Sequence, residues 1–320
     1  MRHDLRVPGA RPPRIAPAAP ALLSRRQFLA LGAVGAAAAG LGIYTWRIEP
    51  HWVEVVRRPM PLAGLPAALE GATLLQVSDL HVGPRVDPEY LIRTLREAGE
   101  LAPDFVVATG DFVTYRTARE YRELARVLRA LPHGRLGTVA SLGNHDYGRA
   151  WREMDVAAQV ADVVAGAGAT VLRNDVREVG GLQFAGLGDL WSPEFASAEV
   201  PGFAPIGAPG GAKAALARVE RGKPTVVLCH NPDAMDVPMW EGIEGWVLAG
   251  HTHGGQCKPP FLPPPVLPVR NSRYTSGAFD VGPGRTLYIN RGLGYMIRVR
   301  FNVRPEVTLF TLTAERQGEG

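Results

Sequence analysis

The chain has 320 residues, is 46% hydrophobic and 21% charged, and carries a formal charge of +4. These values allow a single folded domain of roughly 250 residues after an N-terminal targeting region, and they exclude wholesale disorder. Cys229 and Cys257 are the only cysteines, too few for a dense disulfide framework, and they read as one core thiol and one loop thiol.

The opening stretch through Leu23 is rich in Ala, Pro and Arg, has no periodic apolar face and is expected to be disordered. Ser24-Arg25-Arg26-Gln27-Phe28-Leu29 then leads into an apolar segment ending near Tyr44. This basic-then-hydrophobic order resembles a twin-arginine signal, which implies export across the cytoplasmic membrane by the twin-arginine machinery to a periplasmic or other extracytoplasmic location. Residues 28–44 would then act as a cleavable signal or as a membrane anchor. The expected organisation is 1–45 targeting region, 46–69 linker, 70–315 folded domain and 316–320 polar tail.

Five polar clusters follow apolar runs along the domain. Ala72–Val77 reads as a strand and exits into Ser78-Asp79-Leu80-His81, where an i,i+2 pair can share one face. A helix over Tyr90–Glu100 and a strand over Phe105–Ala108 lead to Gly110-Asp111, whose carboxylate has two oxygens and can bridge two ions. A second helix over Arg119–Leu131 and a strand over Leu136–Leu142 lead to Gly143-Asn144-His145-Asp146. Asn144 offers an amide oxygen to a metal, His145 a hydrogen bond or proton to a phosphoryl or departing oxygen, and Asp146 an orienting partner for His145.

Trp151–Ala165 is consistent with a third helix, followed by a strand region containing Val171 and Phe184. Gly186-Leu187-Gly188-Asp189 makes a turn in which Asp189 either contacts substrate or serves the turn itself. Ala212–Arg221 precedes the strand Thr225–Cys229, which ends at His230-Asn231-Pro232. The strand Gly245–Ala249 then ends at Gly250-His251-Thr252-His253-Gly254-Gly255, a glycine-permissive loop that can aim two imidazoles at neighbouring ions.

Any one of these residues alone reads as a buried polar or turn residue; their shared position at strand exits points to a two-metal centre. The first ion takes Asp79, His81, Asp111 and His253, and the second takes Asp111, Asn144, His230 and His251. Water or hydroxide activated between the ions would attack phosphorus, with no side-chain nucleophile. Carboxylate, amide and imidazole donors suit Mn, Fe or Zn better than Mg.

In this complete motif order the chain resembles the calcineurin-like metallophosphoesterase superfamily from Ala72 to Leu312. The resemblance implies an α/β fold, a four-layer αββα sandwich with two mixed β-sheets flanked by helices. It also implies metal roles for Asp79, His81, Asp111, Asn144, His230, His251 and His253, and a phosphate-facing role for His145. His230-Asn231-Pro232-Asp233, the Gly250–Gln256 loop, Asn290-Arg291-Gly292-Leu293-Gly294 and the N-terminal signal are similar to the exported YkuE- and YaeI-like branch.

The expected function is phosphoester hydrolysis on a phosphorylated small molecule or lipid, such as an envelope phospholipid, a phosphodiester or a lipid-linked pyrophosphate. The alternative is a metal-dependent binding or scaffold protein without turnover. No nucleic-acid partner is expected, because no sustained basic and aromatic surface is visible. Arg291 is a candidate substrate contact through attraction to phosphate. The Pro259–Pro268 segment breaks regular structure, and Phe261, Leu262, Val266 and Leu267 would either form an apolar rim meeting a membrane surface or pack on their own domain.

Overall fold

The computed structural model describes residues 24–115, 117–195 and 211–315. The chain divides after Gly42 into an N-terminal unit, described from Ser24 onward, and a main unit that begins at Ile43. Helix α1, Arg25–Ile43, has no buried residue and, with the turns after it, is long and apolar enough to cross a membrane. The N-terminal segment expected to be disordered, through Leu23, and the polar tail 316–320 lie outside the described residues.

Among the described residues, the main unit contains two six-stranded mixed sheets. In chain order its first strands and helices are β1 (Glu54–Leu62), β2 (Thr73–Val77), α2 (Pro88–Gly99), β3 (Phe105–Thr109), α3 (Arg119–Leu128), β4 (Gly137–Ser141), α4 (Met154–Gly166) and β5 (Thr170–Val171). There follow β6 (Asp175–Val179), β7 (Leu182–Gly186), α5 (Gly211–Leu216), β8 (Thr225–Leu228), β9 (Gly245–Ala249), β10 (Gly277–Asp280), β11 (Arg285–Ile289) and β12 (Glu306–Ala314). The sheet orders are β1-β12-β2-β3-β4-β5 and β10-β11-β9-β8-β7-β6. Strands β2 to β5 run parallel in the first sheet, as do β7, β8, β9 and β11 in the second.

Alternation along the strands builds the layers. Leu74, Phe105, Val107, Val139, Phe184, Val226, Leu228, Trp246 and Leu248 form the core between the sheets. Their neighbours Leu75, Val77, Val106, Ala108 and Ala140 turn outward against α2, α3 and α4. Ala185, Val227, Val247 and Ala249 do the same in the second sheet, where α5 contributes Ala212, Ala215 and Leu216. Strands buried on both faces read as continuous apolar runs, which is why the sequence shows them plainly. The expected two-sheet sandwich is the observed architecture.

Helix α2 begins where the sequence supplies both start signals. Pro88 occupies its first turn, and the Asp87 side chain accepts from the Glu89 backbone N–H at 3.0 Å. The region around Val171 and Phe184 resolves into three strands, with β5 ending the first sheet and β6–β7 beginning the second.

The segment 46–69 is not a linker. Its residues 54–62 form β1, an edge strand paired in parallel with β12 from Glu54↔Glu306 to Leu62↔Ala314, and Met60 and Leu62 enter the inter-sheet core. The partner lies at the opposite end of the chain, so no local pattern announces the pairing.

Candidate metal centre

The parallel strands β2, β3, β4, β8 and β9 deliver the polar clusters from their C-terminal ends. Tight turns follow: Asp79, His81, Asp111, His251 and His253 have φ of 53°, 48°, 53°, 71° and 49°. Non-glycine residues rarely occupy this left-handed region, and its concentration among five candidate ligands marks a site where surroundings override local preference. Those surroundings are hydrogen bonds between clusters. Asp79 N–H donates to Gly110 O at 3.0 Å, His81 N–H to Asp111 O at 2.9 Å, and Gly250 N–H to His230 O at 3.0 Å.

Side chains converge around Asp111. Its Oδ1 accepts the His145 backbone N–H at 2.9 Å, leaving Oδ2 3.4 Å from His81 Nε2 and 3.1 Å from His230 Nε2. On one side, His81 Nε2 lies 3.0 Å from His253 Nε2, which is 3.4 Å from Asp79 Oδ1. On the other, His251 Nδ1 lies 3.0 Å from Asn144 Oδ1. Three overlapping ligand groups result: Asp79, His81 and His253; His81, Asp111 and His145; and Asp111, His230 and His251. Linked through His81 and Asp111, they make a candidate dinuclear metal site.

The outer nitrogens fix which atom faces the ions. His230 Nδ1 sits 2.6 Å from Thr109 O, and His251 Nε2 sits 2.7 Å from Pro268 O. A carbonyl can only accept, so each of these nitrogens carries the proton and the opposite nitrogen presents a lone pair inward. His230 Nε2 faces Asp111 Oδ2 at 3.1 Å, a separation at which a lone pair and a carboxylate oxygen need a proton or a metal cation between them. A cation resolves that contact, and the donor set therefore fits metal.

Charge follows the same logic. Burial pushes the Asp79 carboxyl up to about 7, with His230 opposing and Asp111 reinforcing the shift. Burial pushes His81 and His251 down to about 3 and His253 well below its ordinary range, keeping these imidazoles neutral as metal ligands must be. His230 is the exception: burial acts downward, but the Asp111 carboxylate overrides it and holds the ring well above its usual value, so a metal binding there takes the place of the Nε2 proton.

Glycine at 250 leaves room for this packing. A Cβ there would collide with Ser78 Oγ and Asp79 Oδ2. Gly250→Ala is therefore expected to weaken metal binding by about 10- to 100-fold, the range for disturbed support around metal ligands. Chelator competition measures it; unchanged affinity would show that the Asp79 carboxylate has space to move.

Three expected roles change. Asp146 does not bond the His145 ring: its oxygens accept from Gly143 N–H at 2.9 Å and Val113 N–H at 3.1 Å, pinning two loops together. Asp189 is fully buried, with Oδ1 accepting from Trp191 N–H at 2.8 Å, so it shapes a turn and has no exposed surface for substrate. Arg291 is paired with Glu306 and, at 3.0 Å, with Glu54. Neither Asp189 nor Arg291 lines the cavity over the metal site.

Arg291 therefore carries a stability prediction. Its partner Glu306 has only 3% of its side chain exposed, so Arg291→Ala leaves a buried carboxylate with the hydroxyls of Tyr288 and Thr308 but without its cation. The expected cost is about 3 kcal/mol, which corresponds to a Tm loss of roughly 6–12 °C. KM should stay unchanged, whereas a raised KM at unchanged Tm would restore a substrate role.

Several contributors had no signal in the sequence. Arg300 is fully buried and donates to the carbonyls of Arg291 at 2.9 Å, Gly294 at 2.7 Å and Val303 at 3.1 Å. It thereby holds the turn after β11, whose Gly294 N–H donates to Asp79 O at 2.7 Å. Trp151 and Trp191 stack at 4.8 Å and wall a cavity of about 620 Å³. His81, Asp111, Asn144, His145, His251 and His253 line its inner end, and Pro265, Val266, Met296, Ile297 and Val299 its remaining wall. His145 is half-buried, 5.0 Å from the His81 ring between centroids. Both cysteines are free, as expected.

Comparison with known proteins agrees with this geometry. The calcineurin-like phosphoesterase family matches residues 72–255. The chain is 34% identical over 305 residues to the uncharacterised metallophosphoesterase YkuE of Bacillus subtilis, covering 91% of this chain and 98% of that protein. It is 30% identical over 298 residues to the phosphodiesterase YaeI of Escherichia coli, covering 91% and 100%. It is also 26% identical over 322 residues to the UDP-2,3-diacylglucosamine pyrophosphatase LpxG of Chlamydia trachomatis, covering 83% and 92%.

Proposed function

Because the chain belongs to the calcineurin-like phosphoesterase family, we propose that it is an exported, dinuclear metal-dependent hydrolase of phosphorylated amphiphiles. The single observation carrying this reading is a buried two-ion ligand set at the inner end of a cavity whose other walls are mainly apolar.

Asp79, His81, Asp111 and His253 would hold one ion, and Asp111, Asn144, His230 and His251 the other, with Mn, Fe or Zn suited to these donors. Once bound, two such ions polarise a phosphoryl group and make water a better nucleophile. His145 reaches the same cavity and supplies a hydrogen bond to a phosphoryl oxygen or a proton to the departing oxygen. Asp146 serves indirectly, by fixing the loop on which Asn144 and His145 stand. Trp151 and Trp191 restrict water and offer flat apolar surface.

A phosphorylated head needs the metal end, while Val266, Met296, Ile297 and Val299 suit hydrocarbon. Envelope phospholipids, lipid phosphodiesters and lipid-linked pyrophosphates share that chemistry. The pyrophosphatase relative, named for a diacylated sugar nucleotide, supports the class. The Arg25-Arg26 flank and the apolar α1 support twin-arginine export and retention at the membrane.

The test is Mn-dependent hydrolysis of a phosphomonoester, phosphodiester and lipid-pyrophosphate panel, with elemental analysis of the same sample. Turnover with two ions per chain, greatest on amphiphiles, is expected. Two bound ions without turnover on any substrate would favour a metal-dependent binding protein.

A further inference from the structure

The main unit exposes large apolar side chains where a soluble protein normally hides them. Phe261, Leu262, Val266 and Ile297 are 104%, 59%, 72% and 69% exposed. Val266 and Ile297 line the cavity over the metal site, and Phe261 and Leu262 stand in the loop between Cys257 and Pro265, both of which also line it. Of these four exposed side chains, Val266 and Ile297 thus stand on the cavity rim, and Phe261 and Leu262 stand on the loop beside it.

A third chain segment reaches the same rim. Residues 44–52 pack beside 298–304, where Arg300 N–H donates to Thr45 O at 3.0 Å and Val303 N–H donates to Glu49 Oε1 at 2.6 Å. Trp46 is 46% exposed and lies under two guanidinium groups, Arg47 at 4.4 Å and Arg298 at 5.7 Å from its ring centre. Ile297 directly precedes Arg298. The segment that follows the apolar α1 therefore enters the main unit beside the cavity mouth.

Charge around the rim is mostly of one sign. Residues 44–52, 256–273 and 291–304 contain one carboxylate, Glu49, and it is fully buried. Arg47, Lys258, Arg270 and Arg273 are exposed on these segments, and Arg85 adds a further cation through its 2.8 Å hydrogen bond to Met296 O. One exposed acid, Asp87, stands beside Arg85 and caps the start of α2. Tryptophan, arginine and lysine around protruding Phe, Leu, Val and Ile match the depth profile of a bilayer, with cations at phosphate level and hydrocarbon below.

We propose that the cavity mouth is a docking surface for an anionic phospholipid bilayer, with Phe261 and Leu262 inserted below the headgroups and Arg47, Arg298 and Lys258 at the phosphates. This rests on the reading of the cavity as the hydrolytic site and adds to it a route of access. An amphiphile passes from the bilayer into the cavity without its chains crossing water. Proline at 259, 260, 263, 264, 265 and 268 stiffens the loop that carries the two insertion residues. The same loop reaches the metal site, since Pro268 O is the partner of His251 Nε2 at 2.7 Å.

The experiment uses the full chain reconstituted into vesicles of phosphatidylglycerol and phosphatidylethanolamine. Bromine on the lipid acyl chains quenches tryptophan on contact, so Phe261→Trp reports insertion as emission beyond that of the wild type. Strong quenching of the added emission in these vesicles, and weaker quenching in phosphatidylcholine, is expected. A paired variant, Phe261→Glu with Leu262→Glu, should retain turnover of a soluble aryl phosphodiester. It should lose about tenfold or more of its turnover on lipid held in vesicles, the loss expected from removing even one buried apolar side chain. Quenching without turnover on any substrate would uphold docking and overturn the hydrolase reading. Unquenched emission in a chain that hydrolyses the soluble diester would overturn docking, including the case in which a second copy of the chain covers the rim.

Discussion

Asp111→Asn is expected to lower turnover by about 10³-fold or more, the upper range for losing one preorganised electrostatic group, and to leave the protein unable to hold two ions together. The substitution keeps shape and removes charge. In the structure the two carboxylate oxygens have separate duties, with Oδ1 accepting the His145 N–H at 2.9 Å and Oδ2 facing both His81 and His230. An amide can preserve the first duty through its oxygen, but its nitrogen then turns toward the imidazoles and cannot ligate. Elemental analysis and a chelator titration would read the change, with turnover measured on the same preparation. Two ions bound at wild-type affinity would remove Asp111 from the bridging position.

His145→Ala separates chemistry from metal binding. Its expected effect is a turnover loss of about 10²- to 10⁴-fold while both ions remain. The reason is structural: the contact that ties residue 145 to Asp111 comes from the backbone N–H, which alanine retains. The Asn144 oxygen and the Asp146 bonds to Gly143 and Val113 also stay in place. A proton donor matters most when the departing oxygen is basic, so an alkyl ester should suffer more than a nitrophenyl ester. Metal loss equal to that of Asp111→Asn would instead make His145 a ligand or a structural support.

Comparison of these two residues shows how local and distant information combine. Both were visible as members of short motifs after apolar runs, and both lie where those runs implied. Asp146, one residue further, looks in sequence like a partner of the neighbouring ring. Its carboxylate instead spans to Val113, 33 positions away, because buried backbone N–H groups in two facing loops needed an acceptor. Chain proximity suggested the wrong partner.

Arg291 and Asp189 fail as substrate contacts for the same reason. A cation and a carboxylate near a metal centre look available in sequence, yet Arg291 meets Glu54 from the far N-terminal edge strand. Asp189 is closed off where its turn brings Trp191 to the cavity wall. Strand β1 was likewise hidden, since its residues carry only a mixed burial pattern and its partner β12 lies more than two hundred residues later. Pairing energy there comes from register across the fold.

By itself, the sequence determined the two-sided strands, the order of the polar clusters at their exits and hence the candidate ligands. Those features depend on side-chain period and on donor chemistry, which are local properties. Tertiary structure alone decided which nitrogen of His230 and His251 faces the candidate metal site, because Thr109 O and Pro268 O occupy the other. It also decided that the cavity is walled by Trp151, Trp191, Val266 and Ile297 and rimmed by exposed hydrocarbon. Those outcomes arise where segments remote in sequence meet, and no periodicity within a single segment encodes them.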